Sequence, residues 1–169
     1  TFPSQVLLVA KASAPQKPIK GSPDLMQDIK ETRALIGTKS LLVMEKTCLD
    51  PANYGLKGTG IDLRAYTKNT NLNEMVPALL DGKADFTLLD VPDVILDLKK
   101  WSGKIKVLGP ISEEQQLAAA FPKDAVELRA AFNDYLKKIK NDGSYDQLVN
   151  KYYPGVRRYF PGFFAAKKN

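Results

Sequence analysis

Short apolar runs separated by capped, polar stretches set the rhythm of this chain. Val6-Leu7-Leu8-Val9-Ala10, Leu41-Leu42-Val43-Met44 and Ile105-Lys106-Val107-Leu108 have the length of strands. Asp85 to Leu89 has too few polar side chains to face water on either side and reads as a buried central strand. Ile61 to Tyr66 differs: Ile61, Leu63 and Ala65 alternate with Asp62, Arg64 and Tyr66, the pattern of a half-exposed strand. Between these runs lie helices with readable ends. Ser22 or Asp24 caps a helix to about Leu35, with Pro23 at its first position and Gly37 stopping it. Asn71 caps a helix over Leu72, Met75, Val76 and Leu79 that ends at Asp81-Gly82, where Gly82 suits the left-handed conformation. Asp50-Pro51 opens a short helix ending near Gly55 or Gly58. Pro92 opens another, with Val94, Ile95 and Leu98 as its apolar stripe and an end near Trp101. Gly109-Pro110 is expected to break the strand that precedes it.

Strands alternating with helices imply an α/β fold with right-handed crossovers. The expected architecture is a mostly parallel five-stranded sheet flanked by helices. From Leu117 the pattern changes. One strand-like run precedes a long amphipathic helix over Leu128, Ala131, Phe132, Tyr135, Leu136 and Ile139. Asp142-Gly143 ends that helix, and Ser144 is expected to cap a second one through Leu148 and Tyr152. The tail carries Tyr159, Phe160, Phe163 and Phe164. The chain therefore divides into an α/β body, residues 4–112, and a helical appendage with a basic aromatic tail, residues 113–169.

Composition narrows the chemistry. The 169 residues hold no histidine, which removes the commonest general base and the commonest metal ligand. Cys48 is the only cysteine, so no intramolecular disulfide forms; following an apolar strand, it is expected to be buried and inert. No apolar run reaches the length of a membrane span. Asp81, Asp85, Asp90, Asp93 and Asp97 lack calcium-loop spacing and are expected to be a solvated acidic set, so no metal site and no cofactor is assigned. The net charge of +6 lies wholly in 137–169, with eight basic and two acidic residues against 17 of each before it. Basic residues are not interleaved with aromatics on one face, which argues against nucleic acid. The basic aromatic tail reads either as a solvated face that keeps the chain soluble or as a contact for an anionic membrane surface or acidic partner. The chain starts at Thr1 without methionine or signal peptide, and is expected to be processed or truncated.

In an open α/β sheet, ligands sit at the carboxyl ends of the strands. Asp90 ends the buried strand there and is the first candidate for a cation-binding group; the alternative is that it caps the next helix. Asn69 and Thr70, in the loop after the half-exposed strand, lie near the same edge.

Two segments also carry a resemblance. "ALLDGKADFTLLD", ending at Asp90, resembles the helix, small-residue turn, strand and Asp of bacterial extracellular solute-binding proteins of family 3. "LAAAFPKDAVELRAAFNDYLKKIKNDGSYDQLVNKYYP" is similar to the C-terminal signature of the same family, with its two helices around Gly-x-Tyr. The resemblance implies one lobe of a periplasmic-binding-protein-like fold over residues 4–112, with the later residues belonging to the opposing lobe. The bulk of that lobe, with the arginine that clamps a ligand carboxylate, is expected before Thr1. Ligand groups carry over by position. Asp90 is expected to bind the ligand's amino group. Thr47 matches the hydroxyl that opens the loop after the second strand, Cys48 stands where a second hydroxyl is common, and Lys46 stands in place of a glycine and supplies a positive charge.

The implied function is extracytoplasmic, in the periplasm or outside the cell. It is binding a small polar, amino-acid-like solute for an ABC transporter permease, without catalysis. The runs "LNEMVPALLDGKADFTLLD" and "PISEEQQLAAAF" also resemble binding-protein-like domains of lytic transglycosylases and sensor kinases, so a ligand-sensing domain is the alternative. With the opposing lobe's bulk absent, the C-terminal helices are expected to seek cover in a homodimer.

Overall fold

The computed structural model describes residues 1–69 and 71–164. The strands are β1 (Phe2–Ser4), β2 (Val6–Lys11), β3 (Ser40–Val43), β4 (Asp62–Ala65), β5 (Phe86–Asp90), β6 (Ile105–Pro110) and β7 (Gln115–Leu117). The helices are α1 (Leu25–Ala34), α2 (Met75–Leu80), α3 (Val91–Lys100), α4 (Val126–Asn141), α5 (Ser144–Tyr152), α6 (Val156–Tyr159) and α7 (Pro161–Phe164). Short 3-10 turns cover Pro51–Tyr54 and Leu72–Glu74. The chain divides into two compact units, one of Ser4–Gln115 and one of Thr1–Pro3 with Gln116–Asn169.

The unit Ser4–Gln115 is built on a five-stranded sheet in the order β4-β3-β5-β2-β6. β3 runs parallel to β4 and β5, whereas β2 runs antiparallel to β5 and β6. The sheet is therefore mixed: four strands point one way and β2 is reversed between two of them. The expectation of a mostly parallel sheet holds for strand direction but not for neighbour pairs. An apolar run such as Val6 to Ala10 carries no mark of its direction, because both faces are buried in either ladder. All five residues of β5 are buried, and side chains alternate between faces, so both faces of the sheet are covered there. α2 and α3 pack on β5 and β2, and α1 packs on β6.

Local chemistry sets the element ends. Asp24, rather than Ser22, caps α1, its Oδ1 accepting from Met26 N and Gln27 N. Ser22 N instead donates to both oxygens of Asp28, at 2.9 and 3.0 Å, tying the incoming loop to the helix. Asn71 caps the 3-10 turn that leads into α2, and Gly82 follows α2 with φ of 80°. Asp85 Oδ2 accepts from Ser40 N and Ser40 Oγ at 2.9 and 2.8 Å, pinning the starts of β3 and β5 together.

Gly109-Pro110 does not break β6 as expected. Pro110 is tolerated because β6 is an edge strand. Gly109 is needed because a Cβ there would lie 2.2 Å from Thr32 Oγ1 and 2.9 Å from Ile19 Cγ1. Glycine inside a strand marks a close approach, which its local sequence cannot distinguish from a turn.

In the unit of Thr1–Pro3 and Gln116–Asn169, the strand-like run from Leu117 shortens to the end of β7, which pairs with β1 in a separate two-stranded sheet. α4 packs on α5, with Ile139 and Val149 buried, and Phe2 lies against Tyr153 and Phe164. Gly143, at φ of 82°, occupies the position before α5, so Ser144 is the first helical residue and not the cap; its N–H donates to Asp142 Oδ1.

Candidate functional site

β5 delivers Asp90 to the carboxyl edge of the sheet, where the residue is 8% exposed. It stands at the capping position of α3 but makes no side-chain cap bond. The sequence explains this in part. A capping carboxylate accepts from the second or third helical N–H; Pro92 at the second position has none, and the third, of Asp93, is not used. The first helical N–H, of Val91, donates to Gln5 O at 3.0 Å. Asp90 Oδ1 is left buried without a hydrogen-bond partner. Such a group is costly unless something arrives to satisfy it.

The neighbours of Asp90 sharpen that need. Burial pushes its carboxyl above the ordinary aspartate range, while the Cys48 thiol and the Ser4 hydroxyl pull the other way without completing a hydrogen bond to Oδ1. Ser4 is fully buried and its Oγ has no partner. One turn along α3, Asp93 is pushed up to about 6 by burial first and then by the charges of Asp90 and Asp97. Asp97 is raised by burial, with Lys100 opposing. Cys48 is exposed as a residue, but partial desolvation of its thiol and the neighbouring Asp90 carboxylate push it up to about 12, so it stays protonated at neutral pH. Tyr54 OH donates to Cys48 O beneath the same edge. Its own pKa is raised by burial, against Gln115 and with Asp90. Among the described residues none of Asp90, Asp93 and Asp97 takes part in an ion pair. The arrangement is a partly desolvated set of carboxylates with a hydroxyl and a thiol, suited to receive a cationic donor group.

The structure brings Cys48 and Asp90 together. Cys48 is exposed, contrary to the expectation of a buried thiol, because it sits on the loop beyond β3 and not in the strand. Lys46 and Thr47 share that loop; Lys46 is exposed, while the Thr47 hydroxyl turns inward, Oγ1 donating to Met44 O at 2.7 Å and accepting from Leu49 N at 3.1 Å. Lys46 N donates to Asp50 Oδ2 at 2.8 Å. Asn69 lies exposed beyond the edge strand β4, its Oδ1 accepting from Asn71 N at 2.9 Å. Thr70 lies outside the described residues.

The acidic set is solvated only in part. Asp81 and Asp85 are exposed, but Asp97 is buried and Asp93 half-buried, because α3 lays that face on the sheet. Ser4, Tyr54 and Asp93 are site residues that sequence reasoning missed. Asp93 had a signal, its spacing of three from Asp90 at a helix start; Ser4 and Tyr54 had none, being distant in sequence. A cleft at the opposite edge, lined by Lys11, Lys39, Ser40, Arg64 and Asp85, is different in kind. Its carboxylate is satisfied by Ser40, and Arg64 is committed to Asp62 and Lys83 O.

Known proteins share this architecture. The model of the bacterial extracellular solute-binding proteins, family 3, matches residues 4–155. A membrane-bound lytic murein transglycosylase F from Desulfosudis oleivorans is 29% identical over 126 residues, 74% of this chain and 28% of its own. Among solved structures, a mutant of ArgBP from T. maritima superposes with a TM-score of 0.68 at 20% identity, over 90% of this chain and 58% of that one. The arginine-, lysine-, histidine-binding protein ArtJ from Geobacillus stearothermophilus gives 0.68 at 21%, over 93% and 63%. A putative ABC-transporter binding component from Wolinella succinogenes, complexed with lysine, gives 0.66 at 23%, over 90% and 60%. The chain thus spans about 60% of the length of these solved relatives and much less of the transglycosylase. A family match over most of the chain, on a mixed sheet with a carboxylate at its carboxyl edge, leads to one conclusion: this chain belongs to the bacterial extracellular solute-binding proteins, family 3.

Proposed function

We propose that this chain forms part of an extracytoplasmic solute-binding protein of the amino acid transport type. It takes a small polar, amino-acid-like solute and delivers it to an ABC transporter permease. The residues 4–112 act as the second ligand lobe, and 113–169 as the segment returning to the first. The observation that carries the reading is the buried Asp90 Oδ1 without a partner, at the strand end that the fold reserves for ligands. Asp90 accepts from the solute's ammonium or guanidinium, Cys48 lines the same site, and Lys46, Thr47 and Asn69 belong to its rim. Structural neighbours described as binding arginine, lysine or histidine support a cationic solute. Titration calorimetry with arginine, lysine and glutamate tests it. Asp90→Asn should weaken binding of the cationic solute tenfold or more, as losing a hydrogen bond to a charged group does, and Asp93→Asn should weaken it less than threefold. Equal losses for the two variants would return Asp90 to a structural role.

The similarity to a lytic murein transglycosylase favours a second reading, a ligand-sensing domain attached to a murein-cleaving enzyme. The complete gene product separates the two: a transglycosylase domain on the same polypeptide supports sensing, and its absence supports transport.

A further inference from the structure

The two edges of the sheet differ in charge. At the amino edge, where β2 ends and β3 and β5 begin, a cleft of about 420 Å³ opens between stretches of chain far apart in sequence: residues 11–16, residues 39 and 40 with Arg64, and residues 82–86. Sites for small molecules occupy roughly 300–1,000 Å³. Each wall is tied down. Ala12 N donates to Lys104 O at 2.8 Å and Lys106 Nζ donates to Ala14 O, which fixes the loop after β2. Asp85 N donates to Ser40 O at 3.1 Å, adding to the two bonds from Ser40 to Asp85 Oδ2. Arg64 Nη1 donates to Lys83 O at 2.9 Å while Nη2 donates to Asp62 Oδ2 at 2.9 Å, so the guanidinium is held and balanced. Two cations remain. Lys11 and Lys39 line the cleft from different walls, and among the described residues neither enters an ion pair. Lys11 reaches across the cleft: its Nζ lies 3.7 Å from where a Cβ on Gly82 would stand. The Ser40 amide and hydroxyl, and after them the charges of Lys39 and Arg64, hold the Asp85 carboxyl below the ordinary aspartate range. The acid of the lining is therefore already satisfied by Ser40, and the two ammonium groups are left to face the space between the walls.

We propose that the cleft at the amino edge of Ser4–Gln115 is a second binding site, which takes a small phosphate monoester with its phosphate between Lys11 and Lys39 and its carbon skeleton against Ala14 and Pro15. A lysine ammonium binds phosphate as a point charge. A monoester carries about −1.5 to −2 at neutral pH, enough to meet both lysines, whereas a single carboxylate meets one. The cleft is also larger than a bare phosphate fills, which leaves room for the organic part. Walls held by hydrogen bonds between distant residues need little ordering when a ligand arrives. The proposal is independent of the role given to Asp90, because the two sites lie at opposite ends of β5.

The test is an NMR titration of the isotope-labelled chain with glycerol 3-phosphate at matched ionic strength, following the amide signals of Ala14, Lys39 and Gly82. The native chain should show saturable shifts at these amides and should bind the ester more tightly than inorganic phosphate. Lys11→Gln and Lys39→Gln should each weaken binding about fivefold, as losing one partly exposed charge contact does, and the two together should abolish saturation. Lys39→Arg keeps the charge and should bind like the native chain, so that a loss in Lys39→Gln reads the charge and not the fold. Lys30→Gln makes the same charge change on α1, outside the cleft, and should leave the affinity unchanged. A lipid can present the same group. Sedimentation with phosphatidic acid vesicles that Lys11→Gln abolishes would assign the phosphate to a lipid headgroup, and no sedimentation would assign it to a free ester. Three results would each overturn the proposal: no saturable shift at the three amides of the native chain, a loss in Lys30→Gln equal to that in Lys11→Gln, or inorganic phosphate binding as tightly as the ester.

Discussion

Asp93 converts its surroundings into a pH dependence of stability. Burial and the charges of Asp90 and Asp97 raise its carboxyl to about 6, from an ordinary value of 3.8. The folded chain therefore holds this proton more tightly than the unfolded chain does. Ionising Asp93 costs stability above pH 6, and the cost fades as the pH falls from 6 toward 4. Asp93→Asn removes it. Thermal unfolding should show the variant more stable than the native chain by about 1–2 kcal/mol at pH 7.5, a figure discounted for partial exposure, with no gain at pH 4. Equal gains at both pH values would mean that the charge is not the cause. A cation bound at the site offsets the same repulsion, so a cationic solute should stabilise the native chain more at pH 7.5 than at pH 4.

At the scale of elements, the contact between α1 and β6 depends on one missing Cβ. Thr32 is fully buried and its Oγ1 donates to Asp28 O at 2.8 Å, so it cannot swing away from Gly109 without losing that bond. Ile19, held by its N–H to Leu108 O, crowds the same point. Gly109→Ala should cost about 1–3 kcal/mol in chemical denaturation, the usual penalty of overpacking. Adding Thr32→Ala should recover part of the loss, since the two substitutions act on one contact. A Gly109→Ala chain as stable as the native one would mean that the helix shifts freely. Nothing within the strand itself demands glycine: Gly109 pairs with Leu8 next to a register shift and is not at positive φ.

At the scale of the molecule, exposed apolar surface is unevenly placed. Among the described residues, Leu117, Val126, Leu128, Phe132, Tyr135, Leu148 and Tyr152 are exposed large hydrophobics of the unit containing α4 and α5, whereas Ser4–Gln115 exposes Met26 and Leu96. Scattered singles would need no explanation, but a set that apart from Leu117 in β7 is concentrated on two packed helices does. The chain on its own should associate through α4 and α5. Light scattering should give a mass that rises from monomer toward dimer with concentration, and Leu128→Ser with Tyr135→Ser should hold it at the monomer. A monomer mass for the native chain across concentrations would remove the homodimer.

The elements were legible because their causes are local. Asp24 and Asn71 cap where their side chains reach the next amides, Gly82 ends α2 because it accepts positive φ, and the burial of β5 follows from Phe86 to Leu89 alone. Asp90 was legible as a candidate from its place at the end of that strand. Only the tertiary structure decided that β2 runs backwards between β5 and β6, that Gly109 lies inside a strand, and that Cys48 is exposed. It also decided which groups meet at the site. Ser4, Cys48, Asp90 and Asp93 come from three separate stretches of chain, and whether a carboxylate caps, pairs or waits for a ligand depends on which donors reach it. For Asp90, Pro92 removed one of the two local donors and the other is not used. For Asp50, amides on both sides were supplied by the turn. Both acids have extended backbones at a proline-containing helix start; Pro51 stands first and leaves Ala52 N free to donate to Asp50, whereas Pro92 stands second and offers Asp90 nothing.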